Sequence, residues 1–223
     1  MKKLYYIIIS ICIFISILIS SIFITTYNKS FYIKQFHINN TYENSMVLSR
    51  NINPEFIATE VIDYLKGNIY NLNRSGIFTN EEIIHMKDVK NLFIASKYTF
   101  ILLIAAIIIL TAVYIIKKHS IYDFLKNIVK YFILTSIIII GILFIAFLNF
   151  SESFTTFHEI LFTNDYWLLD PNTSIIINIM PENFFMAHAA NIGLIFSIIS
   201  FIILIFIIIL MKLIKGRKNN VKF

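Results

Sequence analysis

Four runs of the chain carry no charged residue: Leu4–Ile24, Tyr98–Ile116, Tyr131–Phe150 and Ile192–Met211, each 19 to 21 residues long. A helix needs about 20 apolar residues to cross the hydrocarbon core of a bilayer. Lipid offers no partner to free backbone groups, so a spanning segment must be helical or part of a closed barrel. Runs of this length in a chain that is 58% hydrophobic predict an all-α membrane protein with four transmembrane helices. A mean hydropathy of +0.77 excludes an ordinary soluble domain.

The basic residues set an expected orientation. Lys2 and Lys3 precede the first run. Lys117, Lys118, Lys126 and Lys130 lie between the second and third, and Lys212, Lys215, Arg217, Lys218 and Lys222 follow the fourth. These segments hold a single acid, Asp123. The positive-inside rule then predicts an N-in/C-in protein of the cytoplasmic membrane. The net charge of +6 expresses that topology and the potential of the inner leaflet, not an affinity for nucleic acid. The expected layout is a first span over 1–26, an outer segment over 27–90, a second span over 91–116 and a basic loop over 117–128. A third span covers 129–150, an outer segment 151–187, a fourth span 188–212 and a basic tail 213–223. The first span follows a positive start but no small-x-small cleavage site, which predicts a retained signal-anchor. Cys12, the one cysteine, lies inside it and leaves no disulfide framework.

The two outer connections are expected to form an extracellular cap. Asn53-Pro54 marks a helix start and Gly67 its end. Phe56, Thr59, Val61, Ile62 and Leu65 provide an apolar face. Thr79 and Glu82 fit a capping box. No Gly or Pro interrupts the pattern from there to the second span, which predicts one continuous helix. On it Glu81, His85 and Asp88 share a face at i, i+4 and i+7, the spacing of an ordinary solvated stripe as well as of a site. In the second connection Phe154, Phe157, His158, Leu161 and Phe162 follow helical spacing, which sets His158 among aromatics and apart from Glu159. Such a histidine is either packed core or a group with a pKa tuned by half-burial. Tyr166 and Trp167 suit an interfacial aromatic belt, and Asp170-Pro171 a turn. His119 is expected in solvent on the basic loop. His37 lies in an unpatterned stretch, and His188, at the outer mouth of the fourth span, is expected at a headgroup, with a place lining the pocket as the alternative.

Three stretches carry a resemblance. "EIIHMKDVK" (82–90), "FHEILFTNDYWLLDP" (157–171) and "IMPENFF" (179–185), in this order between four spans, resemble the bacterial lipoprotein intramolecular transacylases, the Lit family. "NTSIII" (172–177) departs from it, with Ser174 where the resemblance implies an acidic residue nearby. The resemblance implies a four-helix membrane enzyme of a Gram-positive bacterium. Its substrate would be a diacylated lipoprotein, and its product the lyso form. The sn-2 acyl chain of the diacylglyceryl group would move to the α-amino group of the N-terminal Cys, with no metal and no cofactor. His85 and His158 match the family's proposed catalytic pair.

The chemistry is consistent with these residue types. The α-ammonium, with a pKa of about 8, must lose a proton to attack an ester, and the glyceryl alkoxide must gain one. Imidazoles do either. The substrate supplies its own nucleophile, so no serine or cysteine motif is needed. The reading at this level gives His85 the base role and His158 the acid role, with exchange open. Asp88, Glu82 or Asp165 would hold an imidazole tautomer, as in a triad. Asn164, Trp167 or backbone amides would hold an oxyanion. Phe154, Phe157, Tyr166, Trp167, Phe184 and Phe185 would wall the substrate pocket, with membrane lipid as surroundings. Two other readings compete. One is a metal-dependent membrane hydrolase using His85, Asp88, His158 and Asp165, although no tight ligand motif is present. The other is a non-enzymatic membrane subunit, in which both histidines would be idle.

Overall fold

The computed structural model describes residues 2–220. The last part of the basic tail, including Lys222, lies outside the described residues. No strand occurs among those described. Helix α1 runs over Lys2–Thr26, α2 over Lys29–Ile38, α3 over Ser45–Ser49, α4 over Pro54–Lys66 and α5 over Asn80–Ile116. They are followed by α6 over Ile121–Leu148, α7 over Phe150–Leu161, α8 over Ile175–Ile179 and α9 over Glu182–Asn220. Four of these, α1, α5, α6 and α9, are long and apolar enough to cross a membrane.

The chain divides into two compact units. One consists of Met1–Ser21, Lys97–Ile145 and Gly193–Phe223. Its centre is α1, the most buried of the four long helices. Phe14 packs at 4.7 Å from Phe196 of α9, and both are buried with Ile17 and Phe132. A second cluster joins Tyr6, Ile9, Phe124 and Ile128. The Tyr6 and Tyr114 hydroxyls lie 3.1 Å apart, and the Tyr5 hydroxyl donates to the Leu110 carbonyl. The outward faces of α5, α6 and α9 are rows of exposed Ile, Leu and Phe, as lipid-facing helices require.

The other unit consists of Ile22–Ser96 and Ala146–Ile192. Its core is aromatic and aliphatic, built around Phe36, Ile57, Val61, Ile175, Ile179 and Phe184. Helix α4 starts at Asn53, whose side chain accepts from the amides of Glu55 and Phe56. It stops at Gly67, whose φ of +87° is open to glycine at little strain. The buried face of α4 is Ile57, Ala58, Val61, Ile62 and Leu65. Val61, Ile62 and Leu65 are buried as expected, but Phe56 departs from the expected face and is exposed, with Ile57 and Ala58 buried in its place. Glu60 is buried. Its carboxylate accepts from the amides of Arg74 and Ser75 and so holds the loop after α4. Lys90 holds the same loop from α5, donating to the Ile69 carbonyl at 3.1 Å with its ammonium 4.0 Å above the Tyr64 ring.

Helix α5 is unbroken over 37 residues. Its uncharged part runs from Tyr98 to Ile116. The turns before it carry Glu81, Glu82, Lys87, Asp88, Lys90 and Lys97. The capping box at its start is reciprocal: the Thr79 amide donates to Glu82 at 2.7 Å and the Glu82 amide to the Thr79 hydroxyl at 3.3 Å.

Candidate functional site

Two helices bring the histidines together. His85 projects from the second turn of α5, and His158 from the last turn of α7. Their ring centroids are 5.9 Å apart and tilted by 35°. Nothing in either local sequence places them side by side. The pairing depends on the loop 162–174, which returns from α7 across α5. Asn164 in that loop donates to the Asp88 carboxylate at 2.9 Å, while its own carbonyl oxygen accepts from the Tyr166 amide. One side chain thus fixes both the loop and the carboxylate one turn beyond His85.

Aromatic rings enclose His158, as its spacing suggested. Phe154 meets it edge-on at 4.4 Å, Phe157 at 5.5 Å, and Trp167 stacks on it at 5.1 Å. Phe185 continues the wall behind Phe154 at 5.3 Å. Phe162 closes the space between the two imidazoles, 5.1 Å from His85 and 5.5 Å from His158. The helical spacing places Phe162 on the apolar face of α7 but not in the pocket; its position four residues after His158 is the signal that the two rings share a face. Phe184 does not join this wall. It is 1% exposed, packed against Phe31, Tyr32 and Phe36, and presents no surface to a substrate. Tyr166 is 42% exposed.

The carboxylates are arranged otherwise than a triad would require. Among the described residues no hydrogen bond joins an imidazole to an Asp or Glu. Glu82 is wholly buried and turned to α8. It accepts from the Ser174 hydroxyl at 2.6 Å and the Ile176 amide at 2.7 Å, besides Thr79. With these three donors its carboxylate is committed to structure. Ser174 is the N-cap of α8, and an acid in its place would face Glu82. Asp165 is exposed and touches neither ring by a hydrogen bond. Nor do three His, Cys, Asp or Glu side chains among the described residues stand as a possible metal site.

The partner of His158 is instead a backbone group. Its Nδ1 lies 2.6 Å from the Phe154 carbonyl oxygen one turn back on α7. A carbonyl oxygen only accepts, so Nδ1 carries the proton and Nε2 of the neutral ring keeps its lone pair. Burial lowers the His158 pKa, and the carbonyl bond opposes that shift. Burial pushes His85 down to about 4, aided by the nearby His158 and opposed by the Asp88 charge. Near neutral pH both rings are therefore uncharged. His188 is separate from this pair. Its Nε2 is 3.2 Å from the Thr26 hydroxyl, between Phe31 and Phe184, so the expected headgroup contact is replaced by a packed one.

Comparison with known proteins follows the same lines. The model of a family described as lipoprotein intramolecular transacylase Lit matches residues 7–185, a span that includes both histidines. Among solved structures, the membrane integral lipoprotein intramolecular transacylase Lit from Bacillus cereus is similar at 26% identity and a TM-score of 0.76, over 96% of this chain and 98% of that chain. A histidine-to-alanine variant of that protein is similar at 27% identity and a TM-score of 0.74, over 98% of this chain and 96% of that one. No curated protein sequence matches. The chain thus belongs to the lipoprotein intramolecular transacylase Lit family.

Proposed function

We propose that this chain converts a diacylated lipoprotein to its lyso form, moving the sn-2 acyl chain of the diacylglyceryl group onto the α-amino group of the same N-terminal Cys. The observation that carries the reading is the His85–His158 pair at 5.9 Å, walled by aromatic rings and equipped with a free Nε2 on His158. No other group among the site residues combines a lone pair at neutral pH with a fixed tautomer.

The tautomer supports an assignment of roles opposite to the one first expected. His158 Nε2 takes a proton from the attacking amine as nitrogen adds to the ester carbonyl. The resulting imidazolium is a better acid than a free one, because burial lowers its pKa, and it returns the proton to the glyceryl oxygen as the C–O bond breaks. One N–H is lost, one O–H is gained, and the acyl carbon exchanges an oxygen for a nitrogen. Neutral His85 donates an N–H toward the oxyanion, an interaction of the kind worth 10²–10³ in rate. The ring closed in transfer runs through the amine, Cα, Cβ, sulfur, two glyceryl carbons, the ester oxygen and the carbonyl carbon. Medium rings close slowly in solution, so restriction by Phe154, Phe162 and Trp167 supplies part of the acceleration.

By the positive-inside rule the site faces the exterior, where mature lipoprotein N-termini emerge. The connection between Lys130 and Lys212 holds no Lys or Arg, which avoids repelling the substrate ammonium. The test is mass spectrometry of a lipoprotein N-terminal peptide from a host that lacks N-acylation. The intact chain should yield the N-acyl lyso form, and His85→Ala or His158→Ala should leave the diacyl form. An unchanged diacyl form with the folded, inserted intact chain would remove the proposal.

A further inference from the structure

The chain leaves the third long helix abruptly. Helix α6 ends at Leu148, and Asn149 takes a non-helical conformation (φ −116°, ψ 57°) before α7 begins at Phe150. The last two turns of α6 expose Ile142, Leu143, Phe144, Ile145 and Leu148, on a helix apolar enough to cross a membrane. The amphipathic helix α7 follows with one residue between.

The two faces of α7 differ sharply. Ser151, Glu152, Thr155, Thr156 and Glu159 are exposed on one side. On the other, Ile160 is 76% and Phe157 52% exposed, with Leu161 beside them. At 100° per residue these three occupy one arc, interrupted only by the half-buried Ser153, and Phe154 and His158 continue it toward His85. The exposed apolar face and the buried catalytic face are therefore adjacent parts of one stripe. Leu168 and Tyr166 add further exposed apolar surface in the loop that follows.

We propose that α7 is an interfacial helix, with Phe157, Ile160 and Leu161 immersed in the bilayer at the level where α6 emerges. Its occupant is lipid, because α7 follows, after the single residue Asn149, a helix long and apolar enough to cross a membrane. The attraction is hydrophobic. Membrane-surface helices commonly carry Lys and Arg on the polar face, but α7 carries Glu152 and Glu159 and no basic residue, so its docking does not depend on anionic headgroups. Helix α5 fits the same depth. His85, paired with His158, then lies in the headgroup layer, and the exposed Ile94 on α5, 44% exposed, enters lipid about 14 Å further along the axis. Lys97 snorkels back toward the headgroups. On the proposed reaction, a lipid-anchored ester reaches His158 by sliding along the stripe from Ile160 to Phe154, without its chains crossing water.

Single nitroxide labels in a Cys12→Ser background test the placement without reference to activity. Labels at Ile160→Cys and Thr155→Cys, about 140° apart around the helix, are compared in phosphatidylcholine nanodiscs by collision with oxygen and with a water-soluble nickel chelate. The expected result is oxygen dominating at 160 by severalfold and nickel dominating at 155, with no change when phosphatidylglycerol is added. Equal nickel access at both positions would overturn the proposal. So would a label at 160 shielded from both reagents, which indicates a second copy or another protein on this face. If Ile160→Cys fails to fold, Leu161→Cys reads the same face.

Discussion

Nδ1 of His158 lies 2.6 Å from the carbonyl oxygen of Phe154, and this contact decides which nitrogen of the ring is free to react. Triads commonly use a carboxylate to hold the tautomer. Here a backbone carbonyl does so, which leaves the ring without a compensating negative charge and consistent with its lowered pKa.

The two histidines should respond differently to conservative replacement. His158→Gln removes the only proton-accepting lone pair with a fixed tautomer, and the rate of transfer should fall by about 10³–10⁴. His85→Gln keeps an N–H donor near the oxyanion and should lose about 10–100-fold, short of a full oxyanion-hole deletion. Initial rates with a synthetic diacylated lipopeptide check the order. A larger loss at His85 would reverse the roles.

Trp167 is the only tryptophan, and it stacks on His158 at 5.1 Å. An imidazolium in contact with an indole quenches its fluorescence. Emission should therefore fall on acidification with a midpoint below 6.5, the ordinary histidine value, and His158→Gln should abolish the transition. A midpoint at or above 6.5 would mean that burial does not control this ring.

Stability should also depend on pH through His85. Its folded pKa of about 4 is below the unfolded value of about 6.5. As pH falls, the unfolded chain takes up the proton first. The contribution is complete above about 6.5 and is lost as pH falls toward 4, by at most about 3 kcal/mol. Thermal unfolding in detergent should show a smaller acid-induced fall for His85→Asn than for the intact chain.

Glu82→Gln should destabilise the unit containing α4, α5 and α8. The carboxylate accepts from Thr79, Ser174 and Ile176, and an amide turns an N–H₂ toward one of these donors. A loss of about 2–4 kcal/mol is expected from unsatisfied buried donors, against about 1 kcal/mol for Thr79→Ala at the cap. Melting temperatures of the two variants give the comparison.

Much of this architecture is legible in the chain itself. Uncharged runs announce the four long helices, and the lack of Gly or Pro after Thr79 announces the continuity of α5. The capping box at Thr79 and Glu82 is also legible, because both partners lie within one turn. The second set of Glu82 partners is not, since Ser174 and Ile176 are more than 90 residues away. For the same reason a carboxylate near a histidine in sequence suggests a triad that the fold does not build. Phe56 and Phe184 show the limit of hydrophobic patterning. One is exposed and the other fully buried, and that difference depends on which neighbour each helix meets. The Phe154–His158 contact is local but uses a backbone acceptor, which no residue type reveals.

The most direct measurement of the central claim follows the acyl chain itself. The purified chain is reconstituted in lipid with a diacylated lipopeptide bearing a deuterated sn-2 chain, mixed with an unlabelled peptide of different sequence. Mass spectrometry should find the deuterated chain only on the amine of the peptide that brought it, and none of this product with His158→Gln. Deuterated acyl groups on the other peptide, or release of free fatty acid as the main product, would contradict an intramolecular transfer at the His85–His158 pair.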